Sequence, residues 1–412
     1  MRLAEDPGRV AKIQPRTTPM SATERLDPLQ NKTLFMLISL GMSAFLAGLP
    51  MGAFGETRGY AISLIHTATY SDKENCPKGG NGGPVELKRR ILTAQGYTPD
   101  QIAKFLAGES VDEVKNTKDG NGQDAVKLPS YKSLAKRGSK DGKPTDVADF
   151  PTSEPDPKIE TVQGHFAYGF NLEDRATPSS FEDPDTHAPV QNQMWRVLGC
   201  YAVYAVRRPV VPYNESIAWD TAMDSMPAWL MSVSGDDLSK DGDVTVTFDR
   251  SLDVAMRNTH GGVLAGSSYT IDPDPRSHSV FKGHIRDQLL TIEPGNFAMQ
   301  GESQFYAVLR LTQTHLRLKS SPDGSLSGLL GGYQPWADYY YYLAIRGEDT
   351  AQVDIAGVYY AMKRLADAVP DPVTHQNTAI STAYYVEAVP AFLTNVDRKV
   401  VALSREGEST AP

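Results

Sequence analysis

Apolar and polar residues alternate most cleanly between positions 243 and 332. In DVTVTFDRS, Val244, Val246 and Phe248 alternate with Thr245, Thr247 and Asp249, the period of a strand with one face in a core. GSSYTID and VFKGHI read as two further short strands, and SQFYAVLRL and THLRLK as two more. THLRLK runs into Asp323-Gly324 and then SLSGLLGG, and an Asp-Gly pair between alternating segments is a strong hairpin signal. Short strands at this spacing, parted by turn residues, predict an antiparallel sandwich or barrel-like sheet over residues 160–332.

After this stretch the period becomes helical. In GGYQPWADYYYYLAIRG, Pro335 can open a helix, Asp338 sits in its first turn, Arg346 in its last, and Gly347 can close it. Trp336, Tyr339, Tyr340 and Leu343 share one face of this 335–346 helix, which should pack on the sheet, with Tyr341 and Tyr342 turned to the surface or a neighbour. A second helix over 353–367 carries Ile355, Val358, Tyr359, Met362 and Leu365 along one stripe, and ISTAYYVEAVPAFL reads as a final strand. The whole is an α+β, β-rich fold: a main domain over 161–397 with packed C-terminal helices, then a polar tail over 398–412.

The N-terminal part is organised differently. Thr98-Pro99-Asp100-Gln101 is a capping box with proline at the first helical position, followed by Ile102, Phe105 and Leu106 and ended by Gly108. This predicts a small helical subdomain within 56–116. Residues 117–160 have few large apolar side chains and read as a loop-rich connection. NQMWRVLGCYAVYAVRRP reads as helix or buried strand, stopped by Pro209.

Ahead of all this, Lys32 precedes an apolar run from Thr33 to Gly55 whose uninterrupted part ends at Pro50. It is short for a spanning helix and long for a core strand. Small residues at Ala44 and Ala47, or Ala53 and Gly55, complete an export-signal pattern. Residues 1–32 carry six basic and four acidic side chains, a +2 balance suited to the cytoplasmic side. The expectation is a leader or signal peptide over 1–55 and a periplasmic or secreted protein. The alternatives are a membrane anchor formed by residues 33–55, or a buried helix of a cytosolic domain.

Composition sharpens this picture in three ways. With 34 glycines and 28 prolines in 412 residues, turns are frequent enough to favour β architecture over a helical bundle. The formal net charge of −9 argues against broad electrostatic capture of nucleic acid or anionic lipid. Two cysteines, Cys76 and Cys200, sit in neither C-x-x-C nor C-x-x-C-H, so a single disulfide is the natural use for them outside the cytosol. Unpaired buried thiols are the alternative.

The spacings of familiar catalytic motifs are absent: no H-E-x-x-H, no G-x-S-x-G, no phosphate loop. Ser133 to Lys136 spells S-x-x-K without the companion S-D-N or K-T-G. His278 and His284 flank SVFKG, and an antiparallel sheet could bring them near His260 or His315, where a cluster with Asp272 or Asp274 would suit a transition metal. The acidic loops DPDTH, SGDDLSKDGD and IDPDPRS, with the partial echo KDGNGQD at 118–124, offer oxygen ligands for a structural calcium ion, although Asp, Pro and Gly also belong in solvated turns for backbone reasons. Tyr333, Tyr341 and Tyr342, beside glycine-rich turns, are the candidate ligand-stacking residues.

Together these features predict an exported, non-catalytic protein that binds a small molecule, a glycan or a protein. The membrane is reached only through an uncleaved N-terminal segment. The alternative is an exported hydrolase or metal-dependent oxidoreductase whose site is assembled from dispersed His and Asp residues.

Overall fold

The computed structural model describes residues 55–109, 134–173, 177–302 and 305–395. The apolar run up to Phe54, Ser133, the 118–124 loop and the C-terminal tail lie outside the described residues. Eight strands carry the architecture: β1 (Glu56–Thr67), β2 (Pro227–Gly235), β3 (Gly242–Val254), β4 (Ser279–Arg286), β5 (Leu289–Ile292), β6 (Leu309–Ser320), β7 (Leu326–Pro335) and β8 (Asn377–Thr394). Each pairs antiparallel with the next, and β8 returns to pair with β1 from Gly59↔Ala391 to Thr67↔Tyr384, so the sheet closes into a barrel-like ring. Closure leaves these eight strands without a free edge.

The alternation that marked β3 decides which side faces in. Val244, Val246 and Phe248 join Leu326, Leu330, Tyr384 and Val386 in the buried core. The two ends of the ring are unlike. At one end β2–β3, β4–β5 and β6–β7 are joined by short turns. The two-residue turn Asp287-Gln288 holds both residues at positive φ (51° and 63°), as a type I′ hairpin requires. In the β6–β7 turn Gly324 takes φ 82°, and Asp323 accepts bonds from the Ser325 amide and hydroxyl.

The long connections leave from the opposite end and hold the helices: α1 (Pro84–Ala94), α2 (Pro99–Lys104), α3 (Gln193–Leu198), α4 (Tyr213–Met223), α5 (Trp336–Ala344), α6 (Gly347–Ala351) and α7 (Ile355–Leu365). At α2 the capping box forms in both directions, Gln101 amide to Thr98 hydroxyl and Thr98 amide to Gln101 side chain. Leu87, Ile91, Leu92, Ile102, Phe105 and Leu134 make a small apolar cluster of their own beside α1 and α2. Cys76 and Cys200 form a disulfide with Cα atoms 5.8 Å apart, tying the segment after β1 to the end of α3.

Three details differ from the sequence reading. Residues 56–67, expected in the helical subdomain, are barrel strand β1. SQFYAVLRL and THLRLK contribute to one strand, β6, whose register shifts between Thr312 and His315 where Gln313 turns to φ 46°. The buried face of α5 is Tyr339, Tyr342 and Leu343, so Tyr342 points into the core rather than to the surface. The reason is geometric: α5 presents its 339-342-343 stripe to the end of the barrel, while Trp336 and Tyr340 lie on its flank against Tyr359 of α7, at 5.5 and 5.3 Å between ring centroids.

Candidate functional site

The turn-bearing end of the barrel carries the β2–β3, β4–β5 and β6–β7 turns. A cavity of about 770 Å³ lies there, walled by Tyr60, Val233, Leu238, Ile285, Leu290 and Leu326. Its rim is polar, with Arg58, Ser239, Lys240, Asp241, Asp287, Gln288, Ser320 and Ser321. Five of the six wall residues come from the inward-facing positions of β1, β2, β4, β5 and β7, and Leu238 comes from the β2–β3 turn. Barrel mouths are among the preferred places for small-molecule sites, and this volume falls within the usual ligand-pocket range.

The rim charges are ordered by local bonds. Glu56 accepts from the Leu238 amide (2.9 Å) and from Nε of Arg58 (2.7 Å), and these two bonds hold its carboxyl below the usual range. Asp237 is held lower still by Lys240 and by the hydroxyl and amide of Ser239, and the same contact raises Lys240. Tyr60 is nine-tenths buried, and burial pushes its phenol above the ordinary value, so it stays a neutral hydrogen-bonding group. Asp241 accepts from the Asp287 amide at 2.9 Å, which couples the β2–β3 turn to the β4–β5 turn.

The far end of the barrel is sealed by a buried polar network. Glu215 of α4 is 1% exposed and accepts from the Thr67 amide (2.6 Å), the Thr67 hydroxyl (2.6 Å) and the Tyr339 hydroxyl (3.1 Å). Burial pushes its carboxyl up, and the Thr67 and Tyr339 bonds oppose that shift. Asn214 donates to the Tyr204 hydroxyl (2.9 Å) and the Ala351 carbonyl (3.1 Å), and Tyr384 donates to Gln334. Tyr306 stacks on Tyr342 with ring centroids 4.2 Å apart. This network joins β1, β7, β8, α4 and α5, and its role is to close the floor.

The residues singled out from the sequence lie elsewhere and are not brought together. Tyr333 is buried on the outer side of β7 against Leu172 and Ala379, with its phenol pushed up to about 12, first by burial. Tyr341 is exposed, and Tyr342 is part of the sealed floor. His278 bonds Asp249 (2.7 Å), His284 bonds Asp243 (2.7 Å), Asp272 pairs with Arg250 (2.8 Å), and His260 sits in an exposed loop beside Thr259. His278 and His284 are six residues apart along one extended segment, about 20 Å, too far for a shared ion. Among the described residues no group of three His, Cys, Asp or Glu side chains is placed to hold a metal. The acidic loops are engaged locally: Asp183 pairs with Arg317, Asp237 with Lys240 and Asp274 with Arg276.

Sequence reasoning missed the cavity residues themselves, Arg58, Tyr60, Asp241 and Asp287. The available signal was the spacing of the turns: SGDDLSKDGD, RDQ and SSPDGS each join consecutive strands, which places all three at one end of a meander. No protein-family model, no curated protein and no solved structure matches this chain. The functional reading therefore rests on the cavity and its chemistry. Among the described residues no helix is long and apolar enough to cross a membrane.

Proposed function

We propose that the protein is an exported binding protein that takes a small amphipathic molecule into the turn-bearing end of its barrel. The observation that carries this reading is the 770 Å³ cavity, with an apolar wall from five strands and a polar rim from three turns. An apolar body would sit against Ile285 and the edges of Tyr60, Val233, Leu290 and Leu326, and a polar end would remain at the rim. Export is supported by the apolar run after Lys32 and by the Cys76–Cys200 disulfide, which belongs in an oxidising compartment.

A neutral solvatochromic dye such as Nile red tests the site. Its emission should shift to the blue on binding, and Ser320→Phe, which fills the cavity from β6, should abolish the shift while leaving the far-UV circular dichroism unchanged. Equal dye binding by Ser320→Phe and the parent protein would remove the mouth as the site. For export, the chain recovered from its native host should begin between Gly48 and Thr57 on N-terminal sequencing, and full-length soluble cytosolic protein would refute it.

A further inference from the structure

We propose that the ligand of the barrel mouth carries a cationic end, an amine or quaternary ammonium group on an apolar body. This deepens the binding reading above and rests on it. The argument is a charge balance at the rim. The cavity is lined by two cations, Arg58 and Lys240, and two anions, Asp241 and Asp287. Both cations are already paired, Arg58 with Glu56 at 2.7 Å and Lys240 with Asp237 at 2.6 Å, and neither of those carboxylates lines the cavity. Among the described residues no ion pair reaches Asp241 or Asp287, so the charge left uncompensated at the opening is negative.

The two carboxylates are also held near each other. Oδ1 of Asp241 accepts the Asp287 amide, which leaves Oδ2 of Asp241 and both oxygens of Asp287 as acceptors. The nearest turn cations stand beside Asp287 but not beside Asp241. Arg286 and Lys319 line a separate exterior cleft with His284 and Thr291, because they alternate with the inward-facing Ile285 and Ser320. Asp287 borders both spaces, whereas Asp241 borders the mouth alone. An ammonium at the rim would meet the two carboxylates, and its alkyl groups would meet the apolar wall of the cavity.

Calorimetric titration of the whole protein with three octyl probes below their micelle concentrations tests the inference: octyltrimethylammonium, octanol and octanoate. Two solvent-exposed ion pairs of ordinary strength give a preference of about tenfold for the ammonium over octanol. Octanoate should bind more weakly than octanol. The preference should shrink with added salt, because exposed charges are screened. In Asp241→Asn/Asp287→Asn the ammonium preference should fall to less than about threefold, while octanol affinity, which reports the intact cavity, stays as in the parent. Octanoate binding as tightly as octyltrimethylammonium would overturn the cationic assignment and leave the mouth as the binding site. Failure of all three probes to bind would overturn the binding reading itself.

Discussion

Asp367 offers a test in which a buried carboxyl should weaken the fold at neutral pH. Its carboxylate accepts from the Ser381 amide (2.7 Å) and hydroxyl (2.6 Å), beside the start of β8. Burial nevertheless pushes its pKa from 3.8 up to about 6, and the Ser381 bonds only partly oppose this. The folded state therefore favours the protonated form. The contribution is full below about pH 4, declines as pH rises to about 6, and is constant above that. The difference of about 2 pH units corresponds to about 3 kcal/mol at 1.36 kcal/mol per unit, or about 2–3 kcal/mol once the solvent-facing part of the carboxyl is discounted. Asp367→Asn mimics the protonated form and keeps an acceptor for the Ser381 amide. It should match the parent near pH 4 and exceed it by about 2–3 kcal/mol at pH 7. His66 runs the other way: burial, reinforced by Arg208, lowers its pKa from 6.5 to about 4, so its contribution is lost as pH falls through that window. Other shifted carboxyls, Glu215 among them, also contribute to the parent's pH dependence, which is why the difference between variant and parent is the quantity to read. Urea unfolding of both proteins at half-unit steps from pH 4 to pH 7 gives it. A difference that is the same at pH 4 and pH 7 would refute the reasoning.

Two further predictions concern the floor and the disulfide. Tyr342→Ala should cost about 3–5 kcal/mol, because it removes a buried ring stacked on Tyr306, whereas Tyr341→Ala should cost about 1 kcal/mol or less. Thermal melts read both, and the reverse order would mean that α5 buries a different face. Reduction of Cys76–Cys200 should lower stability by roughly 3–5 kcal/mol, since the bond closes a sequence separation of 124 residues. Urea unfolding with and without reductant checks it, and equal midpoints would contradict the assignment.

Much of the sheet could be read from the chain, and particular residues explain why the rest could not. β3 shows period-two alternation because only its inner face is covered, with Val244, Val246 and Phe248 buried and Asp243 and Thr245 exposed. β1 hides the same period. Tyr60, Ala61 and Ile62 are all buried, so successive residues on both faces of the strand are covered. A strand buried on both faces looks like any short apolar run. Closure was invisible for a further reason: β1 and β8 meet across more than 300 residues, and no local pattern encodes that pairing. The histidines misled in an instructive way. His284 lies in β4 and His278 just before it, and each imidazole is met by its own carboxylate, Asp243 or Asp249, instead of by another histidine.

The mouth holds a cavity because of how the interior is filled. An eight-stranded barrel is just wide enough for its own side chains, so a cavity requires one tier to be smaller than the rest. Below the mouth the interior holds Phe248 and Phe281, with ring centroids 6.1 Å apart, and then Trp229, Tyr384 and Tyr306 toward the floor. At the opening the inward residues are Val233, Ile285, Leu290, Ser320 and Leu326, and Gly283 sits one step in, where an added Cβ would meet the Thr291 carbonyl oxygen at 2.5 Å. Mostly aliphatic side chains at the mouth, with Tyr60 among them, and aromatic ones beneath make a cup rather than a channel. Such a cup suits a ligand with one short apolar body. The proposed charged end would stay at the turns, where Asp241 and Asp287 make no ion pair among the described residues. The asymmetry of the connections has the same consequence. Long segments at the floor supply α4 and α5 to seal it, and among the described residues the mouth carries the short β2–β3, β4–β5 and β6–β7 turns.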